Sequence, residues 1–217
     1  MFLLANPVSS VDDGPLDYTN DMLDLLKAYN FKATFFVSGV NFHKGQIDDE
    51  STPWPAAIRR AYAEGHQIAS HSWSHADLST NITDARRLEE MIKPEMALRN
   101  IMGKFPTYMR PPYIECNAAC LALMDKLGYH VIYFDMNTRD YLYITPDTNQ
   151  VAKDIVHDYL IQQGVQEYLS ILHDVHWQTV HNLSVYMFDE MVKGNWKGMV
   201  VLRLRERIAD CDRNDCG

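Results

Sequence analysis

The chain has 217 residues, of which 47% are hydrophobic and 23% charged, and its formal net charge is -9. This length and composition are typical of one large globular domain and exclude a disordered or fibrous chain. The negative charge gives no electrostatic basis for binding nucleic acid or an anionic membrane, and no apolar run reaches the ~20 residues of a transmembrane helix. We therefore predict one domain over residues 1–217 that binds neither nucleic acid nor membranes. We also expect a monomer, although no feature of the composition indicates it.

Short β-rich runs alternate with amphipathic helices along the chain. The predicted helix that contains "PWPAAIRRAYAEG" ends at Gly65, and the long helix "TDARRLEEMIKPEMALRNIMG" is expected to kink at Pro94, which lacks an amide donor. About seven β/α units follow one another, which predicts a parallel sheet and favours a barrel over an open doubly wound sheet. After a first run that ends at the Asp pair, the predicted strands are "KATFFVSG", "HQIASH", "TYMR", "YHVIYFD", "EYLSILHD" and "GMVVLRL".

The unusual polar residues fall where these predicted strands end. Because the loops that follow the strands of a β/α barrel meet at one rim, we expect their side chains to converge there. In chain order these residues are Asp12 and Asp13, His71 and His75, Arg110, Asp135 to Tyr141, and His173 with Asp174.

The two histidines of "HSWSH" have a spacing that suits a metal ion. Residues four apart on a helical turn project from one face, so His71 and His75 could meet one ion. One added carboxylate gives a His₂Asp set with open positions, which is typical of a catalytic site. Asp12 and Asp13 are adjacent, and their carboxylates repel each other when both are ionised. A cation offsets this repulsion if one carboxylate binds it and the other accepts a proton. The alternative is that both residues belong to a solvated turn.

Three further rim residues have a chemical and a structural interpretation. Arg110 could hold the proton-accepting carboxylate anionic through a charge-assisted bond, or form a surface salt bridge. His173 could donate a proton to a leaving group with Asp140 as its orienting partner, or be a satisfied core histidine.

Taken together, these motifs resemble the polysaccharide deacetylases of carbohydrate esterase family 4, which share the NodB-homology fold. All five family motifs occur in order, as "SVDDG", "HSWSH", "RPPY", "DMNTRDY" and "ILHD". The resemblance implies a distorted (β/α)7–8 barrel. It also implies that Asp13, His71 and His75 bind one divalent ion, usually zinc, with cobalt as the alternative.

The same resemblance implies roles for the other site residues. Asp12 would be the base that activates the attacking water, with Arg110 positioning it. His173 would be the acid that protonates the departing amine, tuned by Asp140. The remaining residues would contact the substrate: the backbone N–H of Tyr113 at the oxyanion, Ile171 and Tyr141 around the acetyl methyl, and Trp177 with Tyr141 against sugar rings.

The family removes acetyl groups from polysaccharides. The extended motifs and the CxxxC after "RPPY" look most like fungal chitin deacetylases, which implies N-acetyl hydrolysis on chitin or chitooligosaccharides to give chitosan and acetate. Alternatives are a deacetylase of peptidoglycan or acetylxylan, or a polysaccharide-binding protein whose catalysis has lapsed. The resemblance implies an extracellular or cell-wall location, although the opening "MFLLANPVSS" does not read as a signal peptide.

Two parts of the chain depart from the family pattern. The polar "NPVSSV" is expected to form a weak or displaced first strand, and about thirteen C-terminal residues are expected to be partly disordered. The cysteines form two close pairs, Cys116 with Cys120 and Cys211 with Cys216. Four residues on a helix bring Cα atoms roughly 6 Å apart, so Cys116 and Cys120 could form a disulfide or remain free thiols.

Overall fold

The computed structural model describes residues 8–162 and 168–194, which are organised around one parallel sheet. Every paired neighbour in the sheet runs parallel, and the order is β5-β4-β3-β2-β1-β7-β6. The seven strands form a half-barrel, which confirms the predicted distorted β/α barrel. The strands are β1 (Val8–Asp12), β2 (Ala33–Val37), β3 (Gln67–Ser70), β4 (Tyr108–Met109), β5 (His130–Val131), β6 (Met136–Asn137) and β7 (Leu169–His173).

The helices alternate with these strands, as the sequence pattern predicts. The longest one continues through Pro94 for 19 residues, and Gly103 ends it in the left-handed conformation that glycine adopts without a Cβ penalty. No helix in the described part of the chain is long and apolar enough to cross a bilayer. The helices are α1 (Thr19–Ala28), α2 (Trp54–Ala63), α3 (Asp84–Met102), α4 (Ala118–Leu127), α5 (Asn149–His157) and α6 (Ser184–Lys193).

The first strand is neither weak nor displaced, so that expectation is wrong. Strand β1 lies inside the sheet, where it pairs with β2 on one side and β7 on the other. Its polar side chains are buried and have partners: the Ser10 hydroxyl donates to the Ser170 carbonyl at 2.6 Å and accepts from Arg110 at the same distance. The strand is polar because it faces a polar barrel interior.

The predicted strand "YHVIYFD" is shorter than expected. Only His130–Val131 pairs with β4, and the chain then crosses to β6. The carbonyls of Ile132 and Tyr133 accept hydrogen bonds from the Arg110 guanidinium, at 3.3 and 2.8 Å, which satisfies them without a neighbouring strand. The predicted strand "GMVVLRL", the C-terminal residues and the pair Cys211 and Cys216 lie outside the described residues.

A disulfide ties the loop after β4 to α4. Cys116 and Cys120 are bonded, with their Cα atoms 5.1 Å apart, so the disulfide interpretation is confirmed over two free thiols. Cys120 is fully buried beside a small apolar cluster that contains Met91, Met109 and Met124. The larger apolar core lies between the sheet and the helices, and it includes Leu26, Phe35, Leu98, Leu172 and Phe188.

Candidate active site

The carboxyl ends of β1 and β3 bring one carboxylate and two imidazoles together. The metal-ligating atoms of Asp13, His71 and His75 all lie within 4.8 Å of one another. The Asp13 Oδ1 atom is 3.3 Å from Nε2 of His71 and 3.1 Å from Nε2 of His75. Burial opposes the charge of Asp13, but the facing imidazoles outweigh it and hold the pKa of Asp13 well below its usual range.

The hydrogen bond of the His71 ring leaves its other nitrogen available to a cation in this cluster. The Nδ1 atom of His71 lies 2.8 Å from the Arg110 carbonyl, which can only accept, so Nδ1 carries the proton. With Nδ1 as the donor to that carbonyl, Nε2 of His71 is the nitrogen that can offer a lone pair to a metal, and it faces Asp13 Oδ1, a buried oxygen without a hydrogen bond among the described residues. Two facing lone pairs at this distance are stabilised by a cation between them, so the donor set fits a divalent metal with open positions.

Asp12 is held by a buried arginine. Its Oδ1 accepts from Nη1 of Arg110 at 2.7 Å, and both side chains are essentially inaccessible to solvent. The guanidinium also stacks over the Phe36 ring at 4.2 Å and donates to Ser10. A charged partner on one oxygen leaves the other, Oδ2, directed toward the cluster, 3.9 Å from Nε2 of His71.

His173 lies beside Asp12, because the two residues are register partners on β7 and β1. Its Nδ1 atom is 2.8 Å from Oδ1 of Asp140, and its backbone N–H donates to Oδ2 of the same carboxylate. The hydroxyls of Thr138 and Thr179 also donate to Asp140. Burial disfavours a charged His173, but the attraction of Asp140 is stronger and raises the pKa of His173 to about 9.

Several residues that sequence reasoning did not assign support the Asp13 turn. Asp13 adopts a left-handed φ of 74°, and its carbonyl accepts from Asn41 at 2.9 Å and from Lys44 at 3.3 Å. Asp174 packs against Gly14, where a Cβ would lie 2.6 Å from its carboxylate, and accepts a hydrogen bond from Thr19. Asp174 could have been suspected from its place in "ILHD", but no sequence pattern pointed to Lys44.

Two of the residues predicted to contact substrate lie beside site histidines. The Tyr113 ring contacts His75 with ring centroids 4.8 Å apart, and the Tyr141 ring contacts His173 at 5.4 Å. Both tyrosines are largely exposed, whereas Ile171 is buried. Trp177 is exposed four residues after His173, and one face of its ring already stacks on His181 at 4.6 Å. Two exposed tyrosine rings, Tyr113 and Tyr141, therefore border a buried polar centre.

Comparison with known proteins identifies the family. Residues 8–132 match the family model described as polysaccharide deacetylase. The chain belongs to the polysaccharide deacetylase family. The resemblance predicted from the five motifs is thereby confirmed.

Fungal relatives match most of the chain. A chitin deacetylase from Pestalotiopsis sp. is 46% identical over 172 residues, which are 79% of this chain and 54% of that protein. A chitin deacetylase from Colletotrichum lindemuthianum is 37% identical over 94% of this chain and 79% of its own length. Its solved structure matches with a TM-score of 0.82, at 36% identity, over 91% of this chain and 86% of that chain. The chain thus spans about half the length of the first of these relatives.

A third relative carries another substrate in its name. A protein from Arthroderma benhamiae, named "Probable peptidoglycan-N-acetylglucosamine deacetylase", is 41% identical over 88% of this chain and 41% of its own length. The names of these relatives therefore refer to two different polymers, chitin and peptidoglycan.

Replacing Arg110 by Met should destabilise the fold by about 3–5 kcal/mol, because it leaves the buried Asp12 carboxylate without its cation. Urea denaturation followed by circular dichroism measures this change. Arg59→Met is the matched control, since Arg59 pairs with Glu50 at 2.8 Å on the surface and its loss should cost less than about 1 kcal/mol. Equal effects of the two substitutions would contradict a structural role for the buried pair.

Proposed function

We propose that this polysaccharide deacetylase is a metal-dependent hydrolase that removes N-acetyl groups from N-acetylglucosamine units of chitin or chitooligosaccharides. The observation that carries the proposal is the convergence, at one end of the sheet, of an Asp/His/His cluster, an arginine-held carboxylate and a carboxylate-held imidazole. Two fungal relatives named as chitin deacetylases support this choice of polymer.

Asp13, His71 and His75 would hold one divalent ion, and zinc suits a set of two imidazoles and one carboxylate, with cobalt as the alternative. When bound, such an ion supplies Lewis acidity toward the acetyl carbonyl. Asp12 would take a proton from the attacking water, since Arg110 binds one oxygen of this carboxylate and fixes its orientation.

His173 would complete the reaction on the other side of Asp12. When the C–N bond of the amide breaks, the departing nitrogen needs a proton, and Asp140 keeps His173 charged and therefore able to donate one. Water supplies the oxygen of the new acetate, and the sugar amine leaves with the proton from His173. The backbone N–H of Tyr113 would stabilise the developing oxyanion.

The rim would bind sugar rings. We assign Tyr141 and Trp177 to stacking against the pyranose faces and Ile171 to the pocket of the acetyl methyl. Peptidoglycan is the second candidate substrate, favoured by the name of the Arthroderma relative. The disulfide between Cys116 and Cys120 supports an oxidising compartment, in keeping with an extracellular or cell-wall location.

The experiment that tests the function is acetate release from N-acetylglucosamine oligomers. Purified protein loaded with zinc should release acetate, and a chelator should abolish the release until zinc is restored. Peptidoglycan and acetylated xylan assayed in parallel identify the polymer. If no acetylated glycan gives chelator-sensitive acetate while oligomers still bind, the chain is a polysaccharide-binding protein and the proposal is wrong.

Substitutions in the Asp pair should separate proton transfer from metal binding. Asp12→Asn should lower turnover by about 10²–10⁴-fold while zinc remains bound, because the amide keeps the shape of the carboxylate but is not a base. Asp13→Ala should lose both zinc and turnover. Zinc content by metal analysis and acetate release measure the two effects; near-native rates in Asp12→Asn would show that another group is the base.

Asp140→Asn should shift the basic limb of the pH–rate profile to lower pH. The active form of His173 is protonated below its pKa, which Asp140 raises, so removing that negative charge lets the proton leave at lower pH. Asp21→Asn is the matched control, since Asp21 faces the outlying His181 at 3.1 Å and should leave the profile unchanged. An unmoved basic limb in Asp140→Asn would mean that His173 is not the acid.

A further inference from the structure

A buried carboxylate outside the cluster binds the loop that carries both histidines. Glu90 lies on α3 and is 0% exposed. Its Oε2 atom accepts from the backbone N–H of Ser74, and its Oε1 atom accepts from the Ser74 hydroxyl, both at 2.7 Å. Ser74 directly precedes His75 in "HSWSH", so α3 is joined to the metal-binding loop one residue from a ligand.

A buried charge at this position is costly unless it is fully paired. Carboxylates are almost never completely buried without such pairing, because burial removes their hydration. Besides the two donors of Ser74, Glu90 accepts from Nη2 of Arg86 at 2.6 Å, one helical turn earlier on α3. Each oxygen therefore has a donor, and Arg86 supplies the countercharge. An apolar side chain could fill the same space, but it could not fix the loop backbone.

The loop needs such a restraint because of its backbone conformation. Ser72 and His75 have φ values of 66° and 57°, a region that residues with a Cβ seldom adopt. On the side of β2, the carbonyls of Ser72 and Trp73 accept from the N–H groups of Gly39 and Val40. These bonds fix the first half of the loop, and Glu90 is the anchor of its second half.

His75 depends on this anchor more than His71 does. The ring of His71 is oriented directly by the Arg110 carbonyl on Nδ1. Within residues 8–162 and 168–194, the ring of His75 contacts Asp13 through Nε2, and the rings of His71 and Tyr113. No backbone carbonyl in that part of the chain fixes its other nitrogen, so the direction of its ring follows the direction of the loop.

We propose that Glu90 is a positioning residue for the metal site. Through its hydrogen bonds to Ser74, Glu90 holds His75 in a ligating orientation. The inference rests on the metal-binding role proposed above and adds a residue from a helix that carries none of the five motifs. Partners one shell removed from a metal commonly set its affinity by 10–100-fold, which makes the role measurable.

Zinc affinity and the cobalt spectrum test this role without any substrate. In Glu90→Gln, an amide nitrogen replaces one of the two oxygens that accept from Ser74. The negative charge that pairs with Arg86 is also lost. Competition against a fluorescent chelator should show zinc binding weakened by about 10–100-fold. The visible bands of the Co²⁺-loaded protein should change in intensity because one imidazole is misoriented. Wild-type affinity and an unchanged cobalt spectrum in folded Glu90→Gln would overturn the inference.

Arg87→Met is the matched control for disturbed packing between α3 and the same loop. Arg87 is 4% exposed and its Nε donates to the Leu78 carbonyl at 2.8 Å, beyond the last histidine. This substitution should lower the free energy of unfolding but leave the zinc Kd within about twofold of wild type. An equal loss of zinc affinity in both variants would mean that general packing is responsible, and would overturn the role of Glu90.

Two further measurements keep the test decisive. If Glu90→Gln does not fold, Ser74→Ala removes only the hydroxyl donor and should weaken zinc binding by about 3–10-fold; wild-type affinity there overturns the inference. The wild-type zinc Kd itself tests the proposed function. A wild-type protein that binds no zinc overturns the metal site and this inference together, whereas wild-type affinity in the variants overturns the inference alone.

Discussion

The guanidinium of Arg110 lies inside the barrel with no exposure to solvent, and most of the site is built on it. Nη1 of Arg110 donates to Asp12, and the backbone carbonyl of Arg110 accepts from Nδ1 of His71. The remaining nitrogens of the guanidinium satisfy the carbonyls of Ile132 and Tyr133, where the chain leaves β5 for the opposite edge of the sheet. Through its side chain and its backbone carbonyl, Arg110 therefore joins Asp12, His71 and the segment that bridges the two sheet edges.

This arrangement explains why β1 is polar. A fully buried cation needs acceptors on every side, and Ser10 supplies one from β1 while its own hydroxyl proton goes to the Ser170 carbonyl on β7. Phe36 on β2 covers the guanidinium face at 4.2 Å, which gives a cation–π contact in a dry environment. An apolar first strand would leave the arginine without Ser10, so the departure from an apolar pattern is a requirement of the site.

The sequence predicts the fold and the positions of the site residues well, because both depend on local patterns. Strand and helix periodicities identify the β/α order, and residues at strand ends meet at one rim whatever their distance along the chain. The sequence pattern does not reveal features that depend on three-dimensional packing. The end of β5 at Val131 depends on Arg110, and the contacts of Lys44 and Glu90 with ligand-bearing loops carry no motif. The polar β1 was misjudged because strand propensity does not describe a polar interior.

The adjacent carboxylates of Asp12 and Asp13 are compatible because the structure separates their surroundings. Residues next to each other on a strand point to opposite faces, but the left-handed φ of 74° at Asp13 turns the chain and directs its carboxylate toward the imidazoles. Asp12 remains on β1 with Arg110 as its partner. Each carboxylate thus has its own partners, the guanidinium for Asp12 and the imidazoles for Asp13, which offset the repulsion between the two. The roles proposed for Asp12 and Asp13 are therefore compatible with consecutive positions, because Asn41 fixes the turn by donating to the Asp13 carbonyl.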